Sequence, residues 1–176
     1  MNLLIVDQSL SLRSFSLTDA DTLFNLVNQH KAYLGRWMNW VHQYSTPEDA
    51  RAFIRFCTRS YQEGNAMSFG IWDNNVLVGE VSFTSLDKNN DVATIGYWLA
   101  ERFTGKGYVN RSLTKLIAYG FEHLGINRME IRIAEDNAAS INVANQLGFE
   151  RECMLKSAGK NKEGYHDVIV FSKLAV

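Results

Sequence analysis

The sequence predicts an α/β (α+β) fold in a single domain spanning residues 1–176. Three observations carry that reading. β-rich runs and helical patterns follow one another as strand, two helices, three strands, helix, strand, helix, two strands. Asp73-Asn74-Asn75 separates two β-rich runs with a turn composition that implies an antiparallel hairpin. Finally, Gly105-Lys106-Gly107 joins an apolar, aromatic strand directly to a helix. At 176 residues and 46% hydrophobic, the chain is long and apolar enough to bury a sizeable core.

Near the N-terminus, Leu10 to Arg13 reads as a short strand. The Thr18-x-x-Asp21 pair predicts the capped start of a helix running to about His30, with Ala20, Leu23, Phe24 and Val27 as its core face. From His30 to Val41 three aromatics occur without a sustained period, which predicts a loop or a broken helix. That segment is either a hydrophobic flap or one wall of a binding site. Thr46-Pro47-Glu48-Asp49 predicts the next helix start through an N-cap hydroxyl, a first-position proline and first-turn carboxylates. Its core stripe is Ala50, Phe53, Ile54, Cys57 and Tyr61, and Gly64 ends it.

Strands are expected from Ala66 to Trp72 and from Val76 to Ser85, with a third containing Ile95 to Leu99. After the glycine loop, Val109, Leu113, Leu116, Ile117, Phe121 and Leu124 fall on one helix face, with Gly125 as a left-handed stop. Met129 to Ile133 alternates as a half-buried strand. Asp136-Asn137 precedes a short helix ended by Gly148, and Phe149–Leu155 and Asp167–Leu174 make the last two strands.

The loop between Arg102 and Tyr108 has the chemistry of an anion site. Glycine lacks the Cβ that would keep a ligand from the backbone, and the first N–H groups of a helix have no intrahelical partner. The helix dipole adds about half a positive charge there, and Arg102 and Lys106 bring full cations. A plain strand-to-helix turn with solvated basic residues is the alternative. No Walker-type G-x-x-x-x-G-K-[ST] is present, and a dinucleotide G-x-G-x-x-G would need glycine where Asn110 stands.

Arg102-x-x-Gly105-x-Gly107 resembles the acyl-CoA signature [QR]-x-x-G-x-[GA] of the GNAT N-acetyltransferases. The longer string, Gly96-Tyr97-Trp98-Leu99 with Gly105-Lys106-Gly107-Tyr108 after it, is similar to the RimJ/RimL branch of ribosomal-protein N-acetyltransferases. The resemblance covers nearly the whole chain and implies a mixed, mostly antiparallel sheet of about seven strands with helices on both faces. It also implies acetyl-CoA as co-substrate, with its pyrophosphate on the backbone of Arg102, Phe103, Thr104, Gly105, Lys106, Gly107 and Tyr108. The pantetheine arm then lies along Tyr97, Trp98 and Leu99. Asn137-x-x-Ser140 reads by itself as ordinary helix initiation, but with the later Leu147-Gly148-Phe149 it matches the family's downstream motif. There the Asn contacts the cofactor arm and the Ser lies near the thioester sulfur. Leu34, Trp37 and Trp40 match a stretch that such chains carry before their second helix, so Trp37 and Trp40 are candidates for the acceptor site.

Amine attack on a thioester needs a neutral amine, a donor for the oxyanion and a proton for the leaving sulfur. By carry-over the oxyanion donor is the backbone N–H around Leu99, and Ser140 is the candidate proton donor. Glu80 is the candidate base, with Glu101 and Glu152 as lesser carboxylates. Some members carry a glutamate near the position of Gly159, which this chain lacks, and Glu163 lies out of register with it. A site without a strong base suits an α-amine, with a pKa of about 7.7 to 8.0, better than a lysine at about 10.4. A protein N-terminus, of ribosomal type, is therefore the expected acceptor. A small amine (polyamine, amino sugar or antibiotic) and a non-catalytic CoA- or nucleotide-binding module are the alternatives. Among the histidines, His166, beside Tyr165 near the last strand, is the candidate acceptor-site residue.

The remaining composition bounds the partners. A net charge of −1 gives no overall field toward nucleic acid or anionic membrane. No run reaches membrane-spanning length and no targeting segment is evident, so a soluble, cytoplasmic protein is expected. Cys57 and Cys153 lack metal spacing and are expected to be buried free thiols. No metal is expected, and a homodimer is left open.

Overall fold

The structure is a computed structural model and describes residues 3–175. Eight strands form one sheet in the spatial order β1-β2-β3-β4-β5-β6-β8-β7. They are β1 (Leu3–Ile5), β2 (Leu10–Arg13), β3 (Met67–Asp73), β4 (Val76–Asp87), β5 (Val92–Leu99), β6 (Arg128–Ala134), β7 (Glu150–Asn161) and β8 (Gly164–Leu174). Only β5 and β6 pair in parallel, so the sheet is mixed and mostly antiparallel as expected. The strand beyond the expected seven is β1. It is three residues long and leaves Leu3 and Ile5 exposed at the sheet edge, so it has no periodic signal to read.

Five α-helices cover the two faces: α1 (Ala20–Gln29), α2 (Lys31–Leu34), α3 (Pro47–Glu63), α4 (Tyr108–His123) and α5 (Ala138–Gln146). One apolar cluster, including Phe69, Phe83, Leu113, Leu116 and Phe171, fills the space between the sheet and α4 and α5. A second, including Leu23, Val27, Ile54, Leu77 and Trp98, lies beneath α1 and α3. At roughly 1.5–3 kcal/mol for each large apolar side chain fully removed from water, these two layers fix the helices on the sheet. Among the described residues no helix is long and apolar enough to cross a membrane.

Local chemistry sets most boundaries where the sequence puts them. Thr46 and Asp49 form a reciprocal capping box at the start of α3, and Gly64 closes it at φ 69°. Asn74 and Asn75 turn the β3–β4 hairpin with φ values of 45° and 68°, a conformation that asparagine tolerates. Gly125, at φ 67°, follows the end of α4. The broken-helix expectation for residues 30–41 also holds: α2 gives way to a 3-10 turn over Asn39–Gln43.

Other details differ. The cap before α1 is Ser16 with Asp19, because Arg13 holds the Asp19 carboxylate at 3.0 Å where it also accepts from the Ser16 N–H; the Thr18–Asp21 pair plays no such part. Leu26 joins the core face of α1, whereas Phe24 is only partly buried. Tyr61 is 49% exposed, and Leu124 is also exposed, one in the last turn of α3 and the other just past the end of α4. β7 runs on through Gly159 to Asn161 because these residues pair with β8, leaving only a tight turn at the hairpin tip. Cys57 is half-buried and Cys153 is exposed on the edge strand β7, so neither is the buried thiol expected. In β4, Thr84 is looped out between the pairs Phe83↔Ile95 and Ser85↔Thr94.

Candidate active site

The sheet opens at its centre. β5 and β6 pair only from Val92↔Arg128 to Ile95↔Ile131. Beyond that β5 stays with β4 as far as Leu99↔Gly79, and β6 stays with β8 as far as Ala134↔Val168. The Ala100 N–H donates to Val78 O at 3.0 Å. Strand alternation therefore turns the Trp98 N–H toward β4 and the Tyr97 and Leu99 N–H groups toward the gap. A cavity of about 730 Å³ occupies the opening, lined by residues 95–98 of β5 and 131–134 of β6.

At one end of this gap lies the glycine loop. A 3-10 turn over Glu101–Phe103 leads through Gly105 (φ 76°) and Gly107 (φ 72°) into the first turn of α4. No atom lies within 4 Å of a Cβ built at either glycine. Packing does not demand glycine here; the left-handed backbone does, and the space beside it is open to a ligand. Arg102 and Lys106 pack against the Phe103 ring at 4.7 and 5.6 Å, and neither makes an ion pair among the described residues. Thr104 bonds back to Glu101 O at 2.8 Å. The Tyr108 hydroxyl donates to Asp73 at 2.5 Å, which leaves only its main chain for a ligand. Helix N-terminus, open left-handed glycines and uncommitted cations fit a pyrophosphate.

On the α5 side, Asn137 Oδ1 accepts from the Ser140 N–H at 3.1 Å, the N-cap bond expected from the sequence. The Tyr97 hydroxyl donates to Ser140 O at 3.3 Å, spanning from β5 to α5. On the other face of the sheet an aromatic chamber forms. Trp40 packs on Tyr44 at 5.5 Å and on Trp98 at 6.3 Å between ring centres, and Trp37 and Trp40 are each a little over one-third exposed at the rim (38% and 39%). Asn39 donates to Lys160 O, tying this segment to the β7–β8 hairpin. His166 also lines the cavity, with its ring seated over Gly159.

Glu80 stands in this chamber, 7% exposed. Burial pushes its carboxyl up to about 7, against hydrogen bonds from Trp98 and Ser68 that pull it down. The Trp98 indole donates to its Oε2 at 2.7 Å.

Residues 9–150 match the family described as acetyltransferase (GNAT) domain. The chain belongs to the GNAT acetyltransferase family. It is 30% identical to the ribosomal-protein-serine acetyltransferase of Escherichia coli, over 96% of this chain and 94% of that protein. Among solved structures it is similar to RimL, a ribosomal-protein α-N-acetyltransferase in complex with coenzyme A (TM-score 0.96, 30% identity, 98% of both chains). It is likewise similar to the microcin C7 self-immunity acetyltransferase MccE in complex with acetyl-CoA and AMP (TM-score 0.93, 32% identity, 97% of this chain and 94% of that one). The protein is thus an acyltransferase, with acetyl-CoA as its co-substrate.

Within this GNAT frame the candidate residues divide into three groups. Tyr97, Asn137 and Ser140 surround the gap; Arg102 to Tyr108 form the glycine loop; Trp37, Trp40, Glu80 and His166 line the chamber. Trp98 differs from its neighbours, since its side chain belongs to the layer beneath α1 and α3 and its main chain faces β4 rather than the gap. The position of the family glutamate is filled in another way, because a Cβ at Gly159 would collide with the His166 imidazole. Glu152 is spoken for: Arg128 grips it at 2.6 and 2.7 Å and holds its carboxyl down to about 2. Tyr44 and Ser68, which border Glu80, escaped the sequence reading. The signal for Ser68 lies in the hairpin register, which carries Ser68 and Glu80 on adjacent paired strands.

Proposed function

We propose that residues 1–176 work as one domain that transfers the acetyl group of acetyl-CoA to the α-amine of a protein N-terminus, of ribosomal-protein type, in a ternary complex. The observation that carries this reading is the pairing, within one cleft, of the unpaired β5 edge with a buried carboxylate near neutrality. Glu80 takes a proton from the ammonium, and the neutral amine then attacks the thioester carbonyl. The Leu99 N–H donates to the oxygen that gains charge. As the new C–N bond forms and the C–S bond breaks, the Ser140 hydroxyl gives its proton to the departing sulfur and regains one from the nitrogen, which sheds its surplus proton as it becomes the neutral amide.

The acceptor class follows from a difference in basicity. Moving a proton from an α-ammonium to a carboxyl near 7 is uphill by about one pH unit, whereas from a lysine the gap is more than about three. The relatives that act on ribosomal proteins point the same way. The chamber of Trp40, Tyr44 and Trp98 also suits a small cation, which sustains the small-amine reading as second.

Acetyl-CoA consumption measured across N-terminal peptides, lysine peptides, polyamines and aminoglycosides decides between them. Turnover on peptides with a free α-amine is expected, and turnover confined to a small amine would overturn the acceptor. Ser140→Ala is expected to lower kcat by roughly ten- to a hundredfold with an unchanged acetyl-CoA Kd, because proton donation acts in the transition state. Undiminished kcat would leave Ser140 as a first-turn residue only.

A further inference from the structure

We infer that Trp98 is a positioning residue for the general base: from the strand whose edge presents the Leu99 N–H, its indole N–H holds the Glu80 carboxylate of the neighbouring strand in place. The inference rests on the reading of Glu80 as base. Trp98 and Glu80 are directly opposed cross-strand partners, so their side chains leave the sheet on the same face. The bond between them is 2.7 Å long and both residues are buried. Because Leu99 is the next residue of β5, this bond ties the base on β4 to the strand that carries the oxyanion donor, so both are held by paired strands rather than by loops. Three successive residues thus face three ways: Tyr97 toward α5, Trp98 toward the acceptor, Leu99 with its N–H in the gap.

The surroundings of Glu80 make the indole its leading support. The groups that reach it are Trp98 from β5, Ser68 from β3, Tyr44 from the segment before α3, and Cys57 from α3 itself. Burial pushes the Tyr44 hydroxyl up and the Cys57 thiol up to about 12, so both stay neutral through the working range. Asp49, Arg132 and His166 stand farther round the same cavity. Among the described residues no cation forms an ion pair with Glu80, and the 2.7 Å bond from Trp98 pulls its carboxyl down more than the one from Ser68. A hydrogen bond to the ionised form favours ionisation, so removing the indole raises the pH at which Glu80 becomes a base.

The test is the pH profile of kcat/KM. In Trp98→Phe the acid limb is expected to move upward by about one to two pH units, the size of a lost hydrogen bond to a charged group. Activity should be about tenfold down near pH 7 and recover above pH 9, a rescue by alkali that loss of packing cannot produce. Trp40→Phe, which alters the same aromatic stack but no bond to Glu80, should leave the limb where it is. In the unaltered protein the Trp98 Nε1–H resonance should titrate with a midpoint of about 7. That measurement needs no variant to fold. A Trp98→Phe limb at the original pH, or a flat indole resonance, overturns the inference. If Glu80→Gln retains the limb, the base reading itself fails and the inference falls with it.

Discussion

Glu80→Gln is expected to lower kcat/KM at pH 8 by about a hundred- to ten-thousandfold and to erase the acid limb, the span typical of losing a general base. It should also stabilise the protein at that pH. The folded carboxyl sits at about 7 against an ordinary 4.5, so the folded state binds the extra proton between those values. A group raised in this way contributes fully below pH 4.5 and loses its contribution as pH rises through 7. The gap of 4.5 to about 7, at about 1.36 kcal/mol per unit, is about 3 kcal/mol. Wild-type melting temperature should therefore fall between pH 5 and pH 8, and the glutamine variant should lack that fall. Parallel melting curves for the two proteins would show that Glu80 is not titrating where its burial places it.

Substitution at Gly105 should separate ligand binding from folding. Valine there would add bulk where the pyrophosphate is proposed to lie, but it would not leave the backbone at rest: φ is 76°, which a β-branched residue strongly resists. Asparagine visits that conformation readily, and an added Cβ meets nothing within 4 Å. Gly105→Asn is therefore expected to keep its melting temperature within a few degrees while weakening acetyl-CoA binding by about a hundredfold or more, the cost of losing one or two hydrogen bonds to a charged group. Calorimetry with acetyl-CoA measures the loss. Unchanged affinity would move the pyrophosphate away from this loop.

The parts of the fold legible in the sequence are those decided within a few residues. Thr46 with Asp49, Asn74-Asn75, the glycine loop and the Gly125 stop each act through their own backbone, and each stands where its chemistry places it. What escaped depends on partners distant in sequence. Arg13, not a neighbour on the helix, decides that Asp19 rather than Asp21 caps the start of α1. Gly159 extends β7 because His166 pairs with it. The site divides along the same line. The glycine loop is a local motif, whereas the setting of Glu80 depends on which residue of β5 lies opposite it, 18 positions along the chain. Alternation alone places Trp98 on the face opposite Tyr97 and Leu99; only the register says what it meets there.

That register is set by the looped-out Thr84. Were β4 and β5 to run without it from the pair Ser85↔Thr94, Thr84 would oppose Ile95, Val81 would oppose Trp98, and Glu80 would oppose Leu99. The carboxyl would then point among the apolar side chains beneath α4, and a valine would take its place in the chamber. One surplus residue works here as a frameshift in the sheet. It is four positions from the carboxylate it redirects, so the chemistry of this cleft depends on a count of residues as much as on their kinds.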